Sequence, residues 1–251
     1  MQIEELTSPE FKELSQRIKG VIVPVGSIEA HGPHLPLGTD LFTIYEICKR
    51  VIKKVEVFLA PPLYFGLCRS TKDIPGTLTL RGETLKAFLL DLLESLYRQG
   101  LRSFIILSGH AGGTHNAFIV DTAETFIERY PSSRFFVADI ISLLKDILRE
   151  LDIPEKDSHA GEWETSLMLY LKGELVKSLD LAFEDYPTFP RYQIVKNKEL
   201  YWASGIWGNP LKTSLEKGQM LSEKLISKLV ELLSEFLNHH SLSSKFGDSS
   251  A

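Results

Sequence analysis

Three short segments of this chain contain side chains that can bind metal ions or transfer protons. The first, PVGSIEAHGPHLPLGTD, contains Glu29, His31 and Asp40. Glu29 and His31 are two residues apart, so in an extended segment their side chains project to the same side and can face one cavity. Carboxylate and imidazole donors suit Zn, Mn or Fe(II), and the lack of cysteine in this set argues against a closed structural zinc site. The segment therefore predicts a metal site.

The other two segments supply further donors. SGHAGGTHN places His110 directly after an apolar run, and its glycines allow close approach of the backbone. DSHAGEWETS supplies His159 and Glu164. If a helix begins near Gly161, Glu164 lies in its first turn, where a negative charge is electrostatically favoured. We therefore treat these three side chains as candidate site residues.

The remaining ionisable residues near these segments are interpreted as structural. His34 lies between prolines and is expected to brace its loop. His115 fits the N-terminal part of a helix, with a site role as the less favoured alternative. Glu162 is expected to face solvent, because its neighbours mark an adjacent apolar face. No site role is expected for His239 and His240, which end a solvated helix.

Backbone amides of the glycine-rich loops offer another interpretation, which is phosphate binding. However, the chain has no GxxxxGK[ST] motif, and VPVGSIEAHG does not match GxGxxG. Because both motifs reflect how a loop approaches a phosphate, their absence makes nucleotide binding the less favoured interpretation.

Short apolar runs alternate with amphipathic segments, which indicates a three-layer α/β/α fold with a mostly parallel central sheet. Strands are predicted at residues 20–25, 55–60, 102–109 and 134–139. Helices are predicted at residues 39–53, 81–100, 117–130, 141–151, 161–171 and 214–237. Ligands in such folds bind beyond the carboxyl ends of the strands. Two of the predicted strands end in the histidine-containing loops, which places those loops at the expected site.

Composition limits the class of protein. The 251 residues are 43% hydrophobic and carry a net charge of −5, so a large core is expected and neither nucleic acid nor an anionic membrane is an expected partner. The spacing of Cys48 and Cys68 suggests neither a disulfide framework nor a zinc knuckle, which favours a reducing compartment. We expect a cytoplasmic protein with one domain over residues 1–240 and a disordered tail over residues 241–251.

Four segments together resemble the creatininase (creatinine amidohydrolase) family. They are VPVGSIEAHGPHLPLGTD, DIPGTLTL, SGHAGGTHN and HAGEWETSLML, and they follow the family's order over about residues 20–170. The resemblance implies an α/β fold with a dinuclear centre of divalent metal ions, Zn, Mn or Fe(II), at the carboxyl edge of a parallel sheet.

The resemblance also implies roles for individual residues. Matches to metal-ligand positions are Glu29, His31, Asp40 and His110, with Asp40 at the position of the carboxylate that bridges both metals. His159 matches a histidine implicated in proton transfer. Glu164 matches the glutamate of HAGxxET, beside the centre.

One position departs from creatininase itself, which has a glutamate ligand two residues after the histidine equivalent to His110. Here that position is Gly112. A dinuclear centre then requires another ligand, and Glu164 is the candidate. The departure argues against creatinine as the substrate but is compatible with metal-assisted hydrolysis.

The implied reaction is hydrolysis of a non-peptide or cyclic amide C–N bond in a small molecule by a metal-activated water. Glu164 or His159 would transfer the proton to the leaving nitrogen. Backbone amides near Gly112 and Gly113 could stabilise the oxyanion. Arg69 and Ser70, together with the following threonine, are expected to line the substrate entrance, with a solvated loop as the alternative.

Three other functions remain open. One is a formamide hydrolase acting on a ribosylaminopyrimidine in flavin or deazaflavin synthesis, and another is a peptidase that trims a small modified peptide. A non-catalytic binding protein is least favoured, because every ligand-type residue is present. The resemblance further implies a homo-oligomer such as a hexamer, and the aromatic loop Tyr201–Trp207 could form an interface, cover the site or pack in the core.

Overall fold

The computed structural model describes residues 1–238. His239, His240 and the tail predicted at residues 241–251 lie outside the described residues. The strands are β1 (Gly20–Val25), β2 (Phe58–Leu59), β3 (Ser103–Ser108) and β4 (Arg134–Asp139). The helices are α1 (Ser8–Leu14), α2 (Thr39–Val51), α3 (Gly82–Arg98), α4 (Gly113–Arg129), α5 (Ile140–Glu150), α6 (Glu162–Lys172) and α7 (Leu215–Asn238).

The strands form a parallel sheet in the order β2-β1-β3-β4. Val25 pairs with Ser108, and Ser108 pairs with Asp139, so the carboxyl ends of three neighbouring strands lie in line. This alignment brings together the loops that follow β1 and β3. The sheet thereby creates the edge at which ligands bind in parallel α/β folds.

Helices cover both faces of the sheet, which confirms the predicted three-layer architecture. One buried core lies between the sheet and α2, α5, α6 and α7, and the other lies between the sheet and α3 and α4, with α1 at its margin. β1 and β3 are buried along their whole length, as their apolar runs predict. In the part of the chain that is described, no helix has the length and apolar character needed to span a membrane.

β2 is shorter than the predicted strand at residues 55–60. Ala60 separates it from Pro61 and Pro62, which have no N–H to donate and interrupt the ladder until Leu63 N donates to Pro24 O at 2.9 Å. The segment at Met1 lies along its outer side: the amino group donates to Val57 O at 2.9 Å, and Leu59 N donates to Met1 O at 2.8 Å. The edge is therefore covered despite its short length.

Glu162 is buried rather than solvent-facing, so that prediction is wrong. α7 packs closely on α6: a Cβ placed on Gly218 would lie 1.9 Å from Ser166 O. This contact covers the side of α6 that the helical pattern assigned to solvent. The Glu162 carboxylate forms an ion pair with Lys217 of α7, which compensates its burial.

Candidate metal centre

Asp40 lies at the centre of the candidate site, in the first turn of α2. Its Oδ1 is 3.1 Å from His31 Nε2, and its Oδ2 is 3.0 Å from His110 Nδ1. Ser27 Oγ donates to Oδ2 at 2.6 Å, which fixes the carboxylate plane. Because each oxygen faces a different imidazole, the carboxylate is oriented as a bridge between two positions.

Close backbone contact brings α2 to this edge of the sheet. A Cβ placed on Gly109, at the end of β3, would lie 2.1 Å from Asp40 O. A Cβ on Gly26, at the end of β1, would lie 2.5 Å from the Cα of Leu41. Glycine at both strand ends therefore lets the N-terminus of α2 reach the sheet, and this contact places Asp40.

The two imidazoles are oriented by backbone carbonyls. His31 Nδ1 is 2.9 Å from Glu29 O, and His110 Nε2 is 3.2 Å from Leu67 O. Since a carbonyl only accepts, each of these ring nitrogens is the donor. The other nitrogen of each ring then faces the carboxylates, which is the arrangement that orients metal-binding histidines.

Two further carboxylates complete the cluster. Glu29 Oε2 lies 2.9 Å from His110 Nδ1, and its Oε1 accepts a hydrogen bond from Thr71. Glu164 Oε2 lies 3.6 Å from His31 Nε2 and accepts from the backbone amide of Ala160 at 2.5 Å. Glu164 stands in the first turn of α6, as predicted.

The donor atoms fall into two groups that each fit one metal ion. Within each group the ligand atoms lie within 4.8 Å of one another, and the groups are Glu29, Cys68, His110 and His31, His159, Glu164. The two oxygens of Asp40 face one histidine of each group. Buried carboxylates require compensating positive charge, so the donor set fits two divalent cations.

Asp40 and the imidazoles around it stabilise each other's charged forms. Burial alone would lower the pKa of His31, but the neighbouring Asp40 and Glu164 carboxylates raise that pKa well above its usual value. Burial alone would raise the pKa of Asp40, but His31 and His110 hold it well below its usual range. Asp40 is therefore ionised at neutral pH and available as a ligand.

His159 lies against the centre. Its ring stacks on His31 with centroids 3.9 Å apart, and burial together with His31 lowers its pKa. Nε2 donates to Ala30 O at 2.8 Å, so Nδ1 is the nitrogen that can accept a proton. The rings of Trp202 and His159 form a T-shaped contact, with centroids 5.0 Å apart.

A cavity of about 200 Å³ opens on this cluster. Trp202 and Trp207 line this cavity. The aromatic loop Tyr201–Trp207, predicted to cover the site, form an interface or pack in the core, therefore lies at the site itself. Ser70 and Gly112 also line the cavity, together with the candidate carboxylates Glu29, Asp40 and Glu164 and two of the three candidate histidines, His110 and His159.

Some predicted substrate contacts lie elsewhere. Arg69 is exposed and outside the cavity lining, and Gly113 begins α4 outside it. Thr71 is buried and supports Glu29 rather than lining an entrance. At Gly112, a Cβ would lie 2.6 Å from His110 Nε2, so the loop conformation itself excludes a side chain there.

His34 and His115 are buried structural histidines. His34 Nε2 hydrogen-bonds with Thr165 Oγ1 at 2.9 Å, which ties the first loop to α6 as a brace. His115 Nδ1 accepts from Leu67 N at 3.1 Å. Burial lowers the pKa of His34 to about 4 and that of His115 to about 3, so both are neutral near pH 7.

Asp157 is a supporting residue that sequence patterns do not single out. Its buried carboxylate accepts from Glu162 N and Asn209 N, both at 2.9 Å. It thereby joins the start of α6 to the loop that carries Trp207. An aspartate shortly before a predicted helix start is a local signal for a residue that accepts hydrogen bonds from that helix. The sequence gives no signal for the second partner, Asn209, which is 52 residues away.

Comparison with known proteins identifies the family. The family model "Creatininase: Creatinine amidohydrolase" matches residues 4–233. Creatinine amidohydrolase of Pseudomonas putida is 29% identical over 93% of this chain and 96% of its own length. Mycofactocin precursor peptide peptidase of Mycolicibacterium smegmatis is 24% identical over 86% of this chain and 85% of its own length.

Solved structures agree with this result. A Zn-Zn form of a creatininase mutant matches with a TM-score of 0.86 and 27% identity over 94% of this chain and 98% of that one. A Mn form of creatininase matches with a TM-score of 0.86 and 26% identity over the same shares. The match to the family model spans nearly the whole chain, and the fold and the order of motifs agree with it. The chain therefore belongs to the creatininase family of amidohydrolases.

Proposed function

We propose that this chain is a metal-dependent amidohydrolase that cleaves a non-peptide or cyclic amide C–N bond in a small molecule. Two divalent ions, Zn, Mn or Fe(II), would be held by Glu29 and His110 on one side and by His31 and Glu164 on the other. Asp40 would bridge them. The observation that carries the proposal is the Asp40 carboxylate, whose two oxygens face different imidazoles.

The residues present fit such a centre. Three carboxylates, Glu29, Asp40 and Glu164, are each 2–3% exposed, and each faces an imidazole nitrogen. Glu164 supplies a carboxylate beside His31, where creatininase itself uses the residue equivalent to Gly112. When bound, divalent ions in such a site activate water as a nucleophile and polarise an amide carbonyl.

His159 is the proposed proton carrier. Its Nδ1 can accept the proton of the attacking water and return it to the leaving nitrogen, while Ala30 O holds the ring in place through Nε2. Trp202 and Trp207 wall the cavity, and their rings exclude bulk water from the reacting groups.

The small cavity favours a small substrate, since it measures about 200 Å³. The glycine at position 112 argues against creatinine, because a ligand of creatininase is missing there. A second candidate is trimming of a small modified peptide, which the match to mycofactocin precursor peptide peptidase over 86% of the chain favours.

A panel of amides tests these functions. Metal-reloaded protein would be incubated with cyclic amides, formamides and short peptides, and the products identified by mass spectrometry. Ring opening of a cyclic amide supports the main proposal, formate indicates a formamide hydrolase, and a new α-amine indicates a peptidase. Hydrolysis that proceeds equally in His159→Gln, or in protein stripped of metal, would contradict the proposed site.

A further inference from the structure

We infer that the thiol of Cys68 is a protein ligand of one of the two proposed metal positions, the one formed by Glu29 and His110, and makes that position selective for zinc over manganese. The inference rests on the proposed dinuclear centre. It adds a donor that the sequence motifs do not contain, because Cys68 lies in the loop after β2, between the motifs.

Geometry places the thiol at the site. The Cys68 sulfur, a Glu29 carboxylate oxygen and a His110 ring nitrogen lie within 4.8 Å of one another, and Cys68 is 1% exposed. In a tetrahedral zinc site, sulfur at about 2.3 Å and nitrogen at about 2.0 Å from the ion are roughly 3.5 Å apart. The observed arrangement therefore needs a contraction of at most about 1.3 Å to bind an ion.

Backbone contacts hold the loop in this place. Cys68 N donates to Thr79 Oγ1 at 2.8 Å. The preceding residue is Leu67: its carbonyl oxygen accepts a hydrogen bond from His110 Nε2, and its backbone N–H donates to His115 Nδ1. The loop is thus tied to the histidine whose other nitrogen faces the metal position, and the sulfur and the imidazole are positioned together.

The two metal positions then differ. At the first, Asp40 Oδ2 lies 3.0 Å from His110 Nδ1 and would add a fourth protein ligand to the three donors already named, which would close the site. At the second, Asp40 Oδ1 joins His31 and Glu164, beside the ring of His159. Closed sites are typical of structural zinc, whereas catalytic sites keep a position for substrate or water.

Thiolate coordination determines metal preference. On binding, the Cys68 S–H bond breaks, sulfur donates its electron pair to the ion, and the proton passes to solvent. Thiolate is a soft ligand that favours Zn, whereas Mn prefers carboxylate, carbonyl and water oxygens. Removing the sulfur should therefore weaken zinc binding at this position far more than manganese binding.

Cobalt(II) substitution tests the inference directly. Metal-stripped wild-type protein, Cys68→Ala and Cys48→Ala would be titrated with Co²⁺ and their near-ultraviolet spectra recorded. Cys48 is the matched control, because it is a buried thiol on the core-facing side of α2. We expect a thiolate-to-cobalt charge-transfer band in wild type and Cys48→Ala, and its loss in Cys68→Ala. Competition titrations should show the zinc-to-manganese affinity ratio falling at least tenfold in Cys68→Ala only.

The outcomes separate this inference from the proposed centre. Two bound cobalt ions without the band, or a band that persists in Cys68→Ala, would overturn the ligand role while leaving the centre in place. If wild-type protein binds no cobalt, both the centre and the ligand are overturned. Should Cys68→Ala fail to fold, the wild-type spectrum alone decides, since the control variant excludes the other cysteine as the source of the band.

Discussion

At the level of single residues, the site combines short contacts with strict orientation. The carboxylate of Asp40 is surrounded by one serine hydroxyl and two imidazoles. The backbone oxygen of Asp40 lies so close to Gly109 that a side chain there would clash with it. His31 and His110 each direct one nitrogen to a backbone carbonyl. Such supporting hydrogen bonds fix the tautomer of a histidine ligand. The donor atoms are therefore preorganised by the fold.

Replacement of Glu164 tests the ligand proposed in place of the missing glutamate. Glu164→Gln should reduce metal content from two ions per chain to one, because the second position loses one of its two carboxylate ligands. Glu162→Gln is the control, since that carboxylate pairs with Lys217 instead. Elemental analysis after dialysis measures the metal content. Two ions retained by Glu164→Gln would refute its role as a ligand.

Replacement of His159 separates proton transfer from metal binding. His159→Gln should lower kcat by about 10²–10⁴-fold, the usual contribution of a positioned acid or base. The variant should keep both metal ions, because the three carboxylates and two histidines proposed as ligands are unchanged. Steady-state kinetics on the amide identified by the panel, with metal analysis of the same sample, checks this prediction. Unchanged kcat would exclude His159 as the proton carrier.

At the level of elements, the sequence predicts the edge of the sheet well. The apolar runs that become β1 and β3 are followed directly by the loops with His31 and His110, and parallel strands bring such loops together. The helix containing Glu164 begins where its pattern predicts. These features depend on local periodicity, which a single sequence displays.

Other features depend on contacts between distant segments. Cys68 has no motif of its own, and its spacing from Cys48 carries no signal. Thr71 reaches Glu29 across 42 residues, and Asp157 reaches Asn209 across 52. Glu162 is buried because α7 packs over it, although the helical pattern leaves its side of α6 to solvent. Periodicity describes one element at a time, so it misses such partners.

The α6–α7 contact makes a prediction about stability. Gly218→Ala should lower the free energy of unfolding by about 1–3 kcal/mol, because the added methyl group meets a backbone carbonyl of α6. Gly173→Ala is the control: its Cβ has open space, its backbone is helical, and it should be neutral or stabilising by up to about 1 kcal/mol. Urea denaturation measures both. Equal stability of the two variants would contradict the close packing.

At the level of the whole molecule, several properties stay predictions. These are one domain over residues 1–240, the cytoplasmic location and a homo-oligomer such as a hexamer. The described residues share one sheet with a core on each face, which is consistent with one domain. Exposed aromatic side chains on the loop after β2, Tyr64 and Phe65, offer apolar surface for contact between copies. Sedimentation analysis of the purified protein measures the assembly.

Buried neutral histidine makes the stability of the whole fold depend on pH. Burial lowers the pKa of His115 from 6.5 to about 3, so the unfolded chain binds a proton there that the folded chain excludes. The contribution of neutral His115 to the free energy of unfolding is complete above pH 6.5 and is lost progressively as the pH falls toward 3. His115→Asn, which keeps an acceptor for Leu67 N, should reduce the fall in unfolding free energy by about 1.4 kcal/mol per pH unit in this range. Urea denaturation between pH 7 and 5 checks this, and equal slopes in both proteins would contradict it.

The most direct test of the proposed dinuclear metal centre is the metal content of active protein. Freshly purified chain would be analysed for Zn, Mn and Fe, stripped with a chelator, and reloaded while hydrolysis of the identified amide is followed in the same sample. We expect two ions per chain, loss of activity on stripping and recovery as the second ion binds. A metal-free preparation with full amidase activity would contradict it.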